Sequence, residues 1–330
     1  MIRIAGQLEG AATHFAQYGL AAIMQEAGVR DVRLQWHEAA EAYASVTWTG
    51  DANPGELVVQ HAQVRTAEDS WVQQVRAHSG TGMGLFSPRI KAMNSEHLLK
   101  WVQWRRDELD QTHLTRLDRH MIAALGEPAF WRWQVKDFEP DQGASRWEMK
   151  TRNRGEEFVQ HRLAPLAKAV AKFDFEDANK GLTGDRLHDE TGWNSDNSRT
   201  PTGFLPPQPM DSSYAWCVLW GISATTLTPQ IRRMSQTAGM PPGHPTHPRL
   251  AALPIALHAI TLAKVRALLA SESFSAAAFG DPQEQALAGQ RLLAHGVRAL
   301  VRFPISKEGS ASAPERMLRA GLVEVFERAD

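Results

Sequence analysis

The stretch 13-THFAQYGLAAIMQEAGVRDVRLQWHEAAEAYASVTW-48 changes its hydrophobic period halfway along, and that change sets the fold class. In residues 13–27, Phe15, Leu20, Ile23 and Met24 fall near one helical face, and Gly28 supplies a stop. From Val29 the pattern becomes alternation. VRLQW (32–36) and YASVTW (43–48) read as strands joined by an acidic turn at 37–41, and LVVQHAQV (57–64) reads as a third strand. The expectation is a small helix-plus-sheet unit. Its histidines, His14, His37 and His61, lack metal-ligand spacing and read as structural.

Working outward, residues 96–126 read as a helical hairpin. Leu98, Trp101, Val102 and Leu109 lie on one apolar face with Arg105 and Arg106 on the polar side. Leu114, Leu117, Met121, Ile122 and Leu125 follow before Gly126 and Pro128. FWRWQV (130–135) reads as a short strand whose tryptophans, Trp131 and Trp133, fill a core edge or stack on a ligand. EEFVQHRLAPLAKAVAKF (156–173) is a helix that Pro165 bends or restarts. Residues 179–211 form a long polar loop, in which His188, Asp189, Glu190, Asp196 and Asp211 match no metal-site spacing. YAWCVLWGISATTL (214–227) is the most buried-looking run, with Cys217 as a core thiol. Residues 282–305 read as a helix feeding a short strand. These elements add up to an α+β fold: an N-terminal helix-plus-sheet region within residues 1–250 and a predominantly helical C-terminal part, 251–330.

At 330 residues, with 43% hydrophobic and 22% charged residues, the chain is long and apolar enough to bury a large core. No run approaches the roughly 18 apolar residues of a membrane span, and MIRIAGQLEG is not a signal peptide, so a cytoplasmic protein without a membrane partner is expected. Cys217 is the only cysteine, which excludes an intrachain disulfide and a cysteine-rich metal site. Eleven tryptophans against three tyrosines offer flat surfaces for packing, partners or nucleobases.

Net charge is −1, yet residues 146–172 hold seven Arg or Lys against three Glu, a local balance of +4. Over a screening length of about 10 Å, local balance decides attraction to a polyanion. Lys150, Arg152 and Arg154 alternate, so an extended segment would present all three to one phosphate track; Asn153 stands among them as a base-edge candidate and Arg162 follows. SGTGMGLFSPRIK (79–91) sets Gly80, Gly82 and Gly84 before Arg89 and Lys91: a plain loop, or one that touches a phosphate backbone or a neighbouring subunit. It lacks the ending of a phosphate-binding Walker loop and the strand-turn-helix context of a dinucleotide fingerprint. SRTPTG (198–203) adds Arg199 in a backbone-shaping, phosphate-capable segment. No nucleophile elbow, paired carboxylates or cofactor motif is present, so the residues imply neither catalytic residues nor a cofactor or metal.

THFAQYGLAAI (13–23), RNRGEEFV (152–159), and SRTPTG (198–203) with YAWCVLWGI (214–222) together resemble the smaller large-subunit-like proteins of type I CRISPR-Cas interference complexes, subtype I-G (formerly I-U). The resemblance implies a non-catalytic DNA-binding and assembly subunit of a crRNA-guided surveillance complex. Its partners would be the complex's backbone subunits, crRNA, target DNA and a separate helicase-nuclease. It would read a short duplex feature beside the protospacer while guide pairing supplies most of the specificity. A protein-only scaffold is the alternative.

Overall fold

The computed structural model describes residues 1–78, 81–87, 95–111, 113–126, 131–134, 137–140, 145–149, 158–190, 202–206, 208–228, 236–242, 248–310 and 313–327. Strand β1 (Ile2–Ile4) is followed by helix α1 (Ala11–Glu26), β2 (Arg30–His37) and β3 (Tyr43–Thr49). β3 lies between β1 and β2 in an antiparallel sheet, with Val46 opposite both Ile2 and Leu34. The helix-plus-sheet unit is thus present.

Two features of this unit differ from the periodicity reading. Residues 57–64 belong to helix α2 (Pro54–Val64), not a strand. Proline at the helix start, the Asn53 side chain capping the Glu56 amide, and Val58, His61 and Ala62 buried at helical spacing outweigh the β-branched pair. α1 is also buried from Ala11 through Met24 on every side, not along one stripe. It crosses α7 (Ser212–Gly221), which is buried along its whole length, and the crossing is glycine to backbone. A β-carbon on Gly19 would overlap the Cys217 carbonyl; one on Gly221 would overlap that of Phe15.

Next in the chain come β4 (Val75–His78) and β5 (Thr81–Gly84), helices α3 (Ser95–Leu109) and α4 (Arg116–Leu125), and a second hairpin, β6 (Trp131–Gln134) with β7 (Asp137–Pro140). The helical hairpin expected at residues 96–126 is α3 and α4. Thr115 and Asp118 form a capping box at the start of α4, each side chain bonding the other's amide. Replacing Thr115 by alanine is expected to cost about 1 kcal/mol in urea unfolding, the usual value of such a cap.

A π-helical turn (Val159–Leu163) leads into α5 (Ala164–Val170), and α6 (Phe175–Thr183) follows. Pro165 has no N–H to return to the preceding turn, which accounts for the widened turn where the sequence foretold a bend. After α7 a 3-10 turn (Ile222–Ala224) leads to a small hairpin, β8 (Leu227–Thr228) and β9 (Gln236–Thr237).

The C-terminal region opens with β10 (Leu250–Ala256), continues through helices α8 (Leu262–Ala270), α9 (Glu272–Phe279) and α10 (Pro282–Ala294), and closes with β11 (Val297–Ser310), β12 (Ala313–Leu318) and β13 (Leu322–Val325). The helices expected there are present, and the expected short strand is the long β11. Its first half pairs with β10 and β13, its second half with β12. Leu34 and Ile260 exchange backbone bonds and Gln35 reaches the Leu257 carbonyl, so one hydrophobic core runs on across position 250. The fold is α+β. Among the described residues no helix is long and apolar enough to cross a membrane.

Candidate nucleic-acid interface

The glycine-rich stretch and the basic stretch meet in the fold at Gly84 and Val159, 75 residues apart in the chain. β4 and β5 pair antiparallel with His78 opposite Thr81, so Thr81–Gly84 is a hairpin strand. Gly84 at its end lies so close to the π-helical turn that a β-carbon there would sit 2.9 Å from that of Val159. Leu85 and Phe86, next in the chain, are buried. α3 secures them through Arg105, which donates to the Leu85 carbonyl at 3.1 Å and the Gly126 carbonyl at 2.9 Å, its guanidinium 4.7 Å from the centre of the Phe86 ring. Arg105 was expected on the polar face of its helix. It is fully buried instead, because the Leu85 and Gly126 carbonyls, just past the ends of β5 and α4, take hydrogen bonds from it.

On the other side of the contact, Arg162 of the π-helical turn donates to Glu148 at 2.8 Å, with both side chains buried. The Glu148 carbonyl accepts from Arg316 of β12, and Trp147 next to it donates to the Ala238 carbonyl at 2.8 Å. Arg162 is therefore neutralised within the protein, and a phosphate would have to displace Glu148 to reach it. Arg89, Lys91, Lys150, Arg152, Asn153, Arg154 and Arg199 lie outside the described residues. What the fold brings together are described residues of the two stretches, Gly84 and Val159.

No family model, curated protein or solved structure matches this chain. The resemblance to CRISPR interference subunits accordingly rests on the sequence stretches that suggested it.

The densest buried polar cluster was not anticipated. Arg65, the residue that ends α2, donates to both carboxylate oxygens of Glu26, at 2.8 and 2.9 Å, and to Asp118 at 3.1 Å, while Trp71 donates to the same Asp118 oxygen at 2.9 Å. His61 accepts from the Trp216 indole at 3.0 Å through Nδ1, which leaves its proton on Nε2, 3.2 Å from Glu26 but poorly aligned for a hydrogen bond. Burial, then the Arg65 charge, lowers the His61 pKa to about 4, against the pull of Glu26 and Asp118. Burial alone would raise Glu26; the His61 contact and the Arg65 charge outweigh it and hold the carboxyl at about 2. A neutral histidine sealed under tryptophans joins α1, α2, α4 and α7 and is unsuited to exchanging protons with a substrate. Its signal in the sequence was the i,i+4 spacing of His61 and Arg65, invisible while that segment was read as a strand.

His14 is also buried, donating to the Leu8 carbonyl at 2.8 Å, and burial brings its pKa to about 4. Cys217 is buried and burial pushes its thiol pKa up, as befits a core thiol. In the polar loop, His188 pairs with Glu190 at 2.6 Å and Asp211 caps α7, while Asp196 lies outside the described residues. Among the described residues no three potential ligands gather around a metal position.

Proposed function

We propose that this protein is a non-catalytic DNA-binding and assembly subunit of a crRNA-guided surveillance complex, acting in the cytoplasm beside the complex's backbone subunits and a separate helicase-nuclease. The reading draws on the resemblance, and the observation that carries it is the contact between Gly84 and Val159. That contact joins described residues of the two stretches whose cations, Arg89 and Lys91 on one and Lys150, Arg152 and Arg154 on the other, suit a phosphate track. Such a site positions a strand. Base pairing by the guide then supplies sequence.

Charge reversal of Lys150, Arg152 and Arg154 in the assembled complex is expected to weaken DNA binding and flatten its salt dependence by roughly 0.9 logarithmic units per lost duplex phosphate contact. Unchanged affinity and slope would reject the site. A protein-only scaffold is the second reading, favoured by the exposed Leu322, Val323 and Val325 of β13, a strand paired only with β11 among the described residues. Crosslinking in the native host separates the two: the first reading expects crRNA and interference subunits, the second protein partners without nucleic acid.

A further inference from the structure

A second concentration of positive charge lies on α4 and α8, where the sequence reading singled out nothing. Arg116 and His120 stand four residues apart in α4 and so share a helix face; Arg116 is exposed and His120 half-buried. α4 and α8 both pack on the 3-10 turn that follows α7. From α8, Arg266 donates its Nε to the Ser223 carbonyl of that turn at 3.3 Å, which orients the guanidinium and leaves its two terminal nitrogens without a partner among the described residues. Neither arginine forms an ion pair among the described residues. The nearest acid in the sequence, Asp118, is already engaged by Arg65, Trp71 and Thr115.

The three groups feel one another. Burial, then the charges of Arg266 and Arg116, lowers the His120 pKa, and burial with the Arg116 charge brings Arg266 down to about 10. Cations held together without a counter-charge cost free energy that an arriving anion relieves. A guanidinium pinned at Nε presents a planar fork of donors, the geometry that suits phosphate oxygens.

We propose that Arg116, His120 and Arg266 form a phosphate clamp between α4 and α8, which holds one phosphodiester of a nucleic-acid strand. The clamp itself stands on these residues alone; naming a nucleic-acid strand as the source of the phosphate rests on the function proposed above. It lies on the first half of α4, a helix of ten residues and so about 15 Å long, whereas the Gly126 carbonyl held by Arg105 marks the far end. The clamp is thus a contact separate from the Gly84–Val159 junction.

The test uses the full chain and two probes, inorganic phosphate and a fluorescently labelled oligothymidylate. By NMR, phosphate is expected to raise the His120 pKa by about one unit, and Arg116→Gln to abolish that response while itself raising the His120 pKa without phosphate. Arg116→Gln with Arg266→Gln is expected to weaken oligothymidylate binding about tenfold and reduce its salt slope by roughly 0.7 for each lost contact. Arg116 is exposed and bonded to nothing among the described residues, so its single variant keeps the test independent of folding. A His120 pKa unmoved by either probe would overturn the clamp. A response to phosphate with oligothymidylate binding unchanged in the double variant would overturn the nucleic-acid strand as its occupant, whatever the result at residues 150–154.

Discussion

Alanine at position 19 is expected to destabilise the protein by about 4 kcal/mol or more, and alanine at 221 by a similar amount, because each added methyl would meet a peptide carbonyl of the facing helix rather than a movable side chain. α1 and α7 approach so closely that Gly19 lies on the Cys217 carbonyl and Gly221 on that of Phe15. Neither helix can move aside cheaply. Both are buried on all sides, and the aromatic cluster about the crossing stacks Phe15 on Phe204 at 4.3 Å and sets it 4.8 Å from Trp147. Gly28 makes the comparison: its φ of +80° is left-handed, but a side chain there meets nothing within 4 Å, so Gly28→Asn is expected to cost less than about 1 kcal/mol. Urea midpoints of the three variants, measured with tryptophan fluorescence, decide it. Equal midpoints for Gly19→Ala and Gly28→Asn would show that the crossing is looser than described.

Stability is expected to fall steeply as pH drops from about 6.5 to 4. His14 and His61 have folded pKa values near 4 against 6.5 for the free side chain. Below pH 6.5 the unfolded chain takes up these protons and the folded protein does not, so each site favours unfolding by an amount that grows until pH reaches about 4. The full shift corresponds to about 3 kcal/mol per histidine. Glu26 acts in a lower window: with its folded pKa held at about 2, its contribution is present above 4.5 and lost between 4.5 and 2. The onset near pH 6.5 therefore belongs to the histidines. His14→Leu with His61→Gln should flatten the pH dependence of the unfolding free energy between 6.5 and 4, whatever the double variant's stability at neutral pH. A slope as steep as that of the natural sequence would assign the acid sensitivity to other groups.

The sequence by itself determined what local periodicity and composition control. The switch from helical spacing to alternation yielded α1, β2 and β3; the apolar spacing of residues 96–126 yielded α3 and α4; the run around Cys217 read correctly as core. Each of these signals lies within one element, where side-chain direction follows from the backbone period. Five matters were decided only by tertiary structure. Residues 57–64 became a helix because a cap and a buried face outweighed β-branched propensity. α1 lost its polar side because α7 and the sheet cover it, and Arg105 went inward to the buried Leu85 and Gly126 carbonyls just past the ends of β5 and α4. Of the expected phosphate contacts, Arg162 is spent on Glu148, a residue whose nearness no spacing rule reveals. The Arg116, His120 and Arg266 cluster, finally, joins residues up to 150 positions apart. Charge acts through space rather than along the chain, so the fold had to close before that cluster existed.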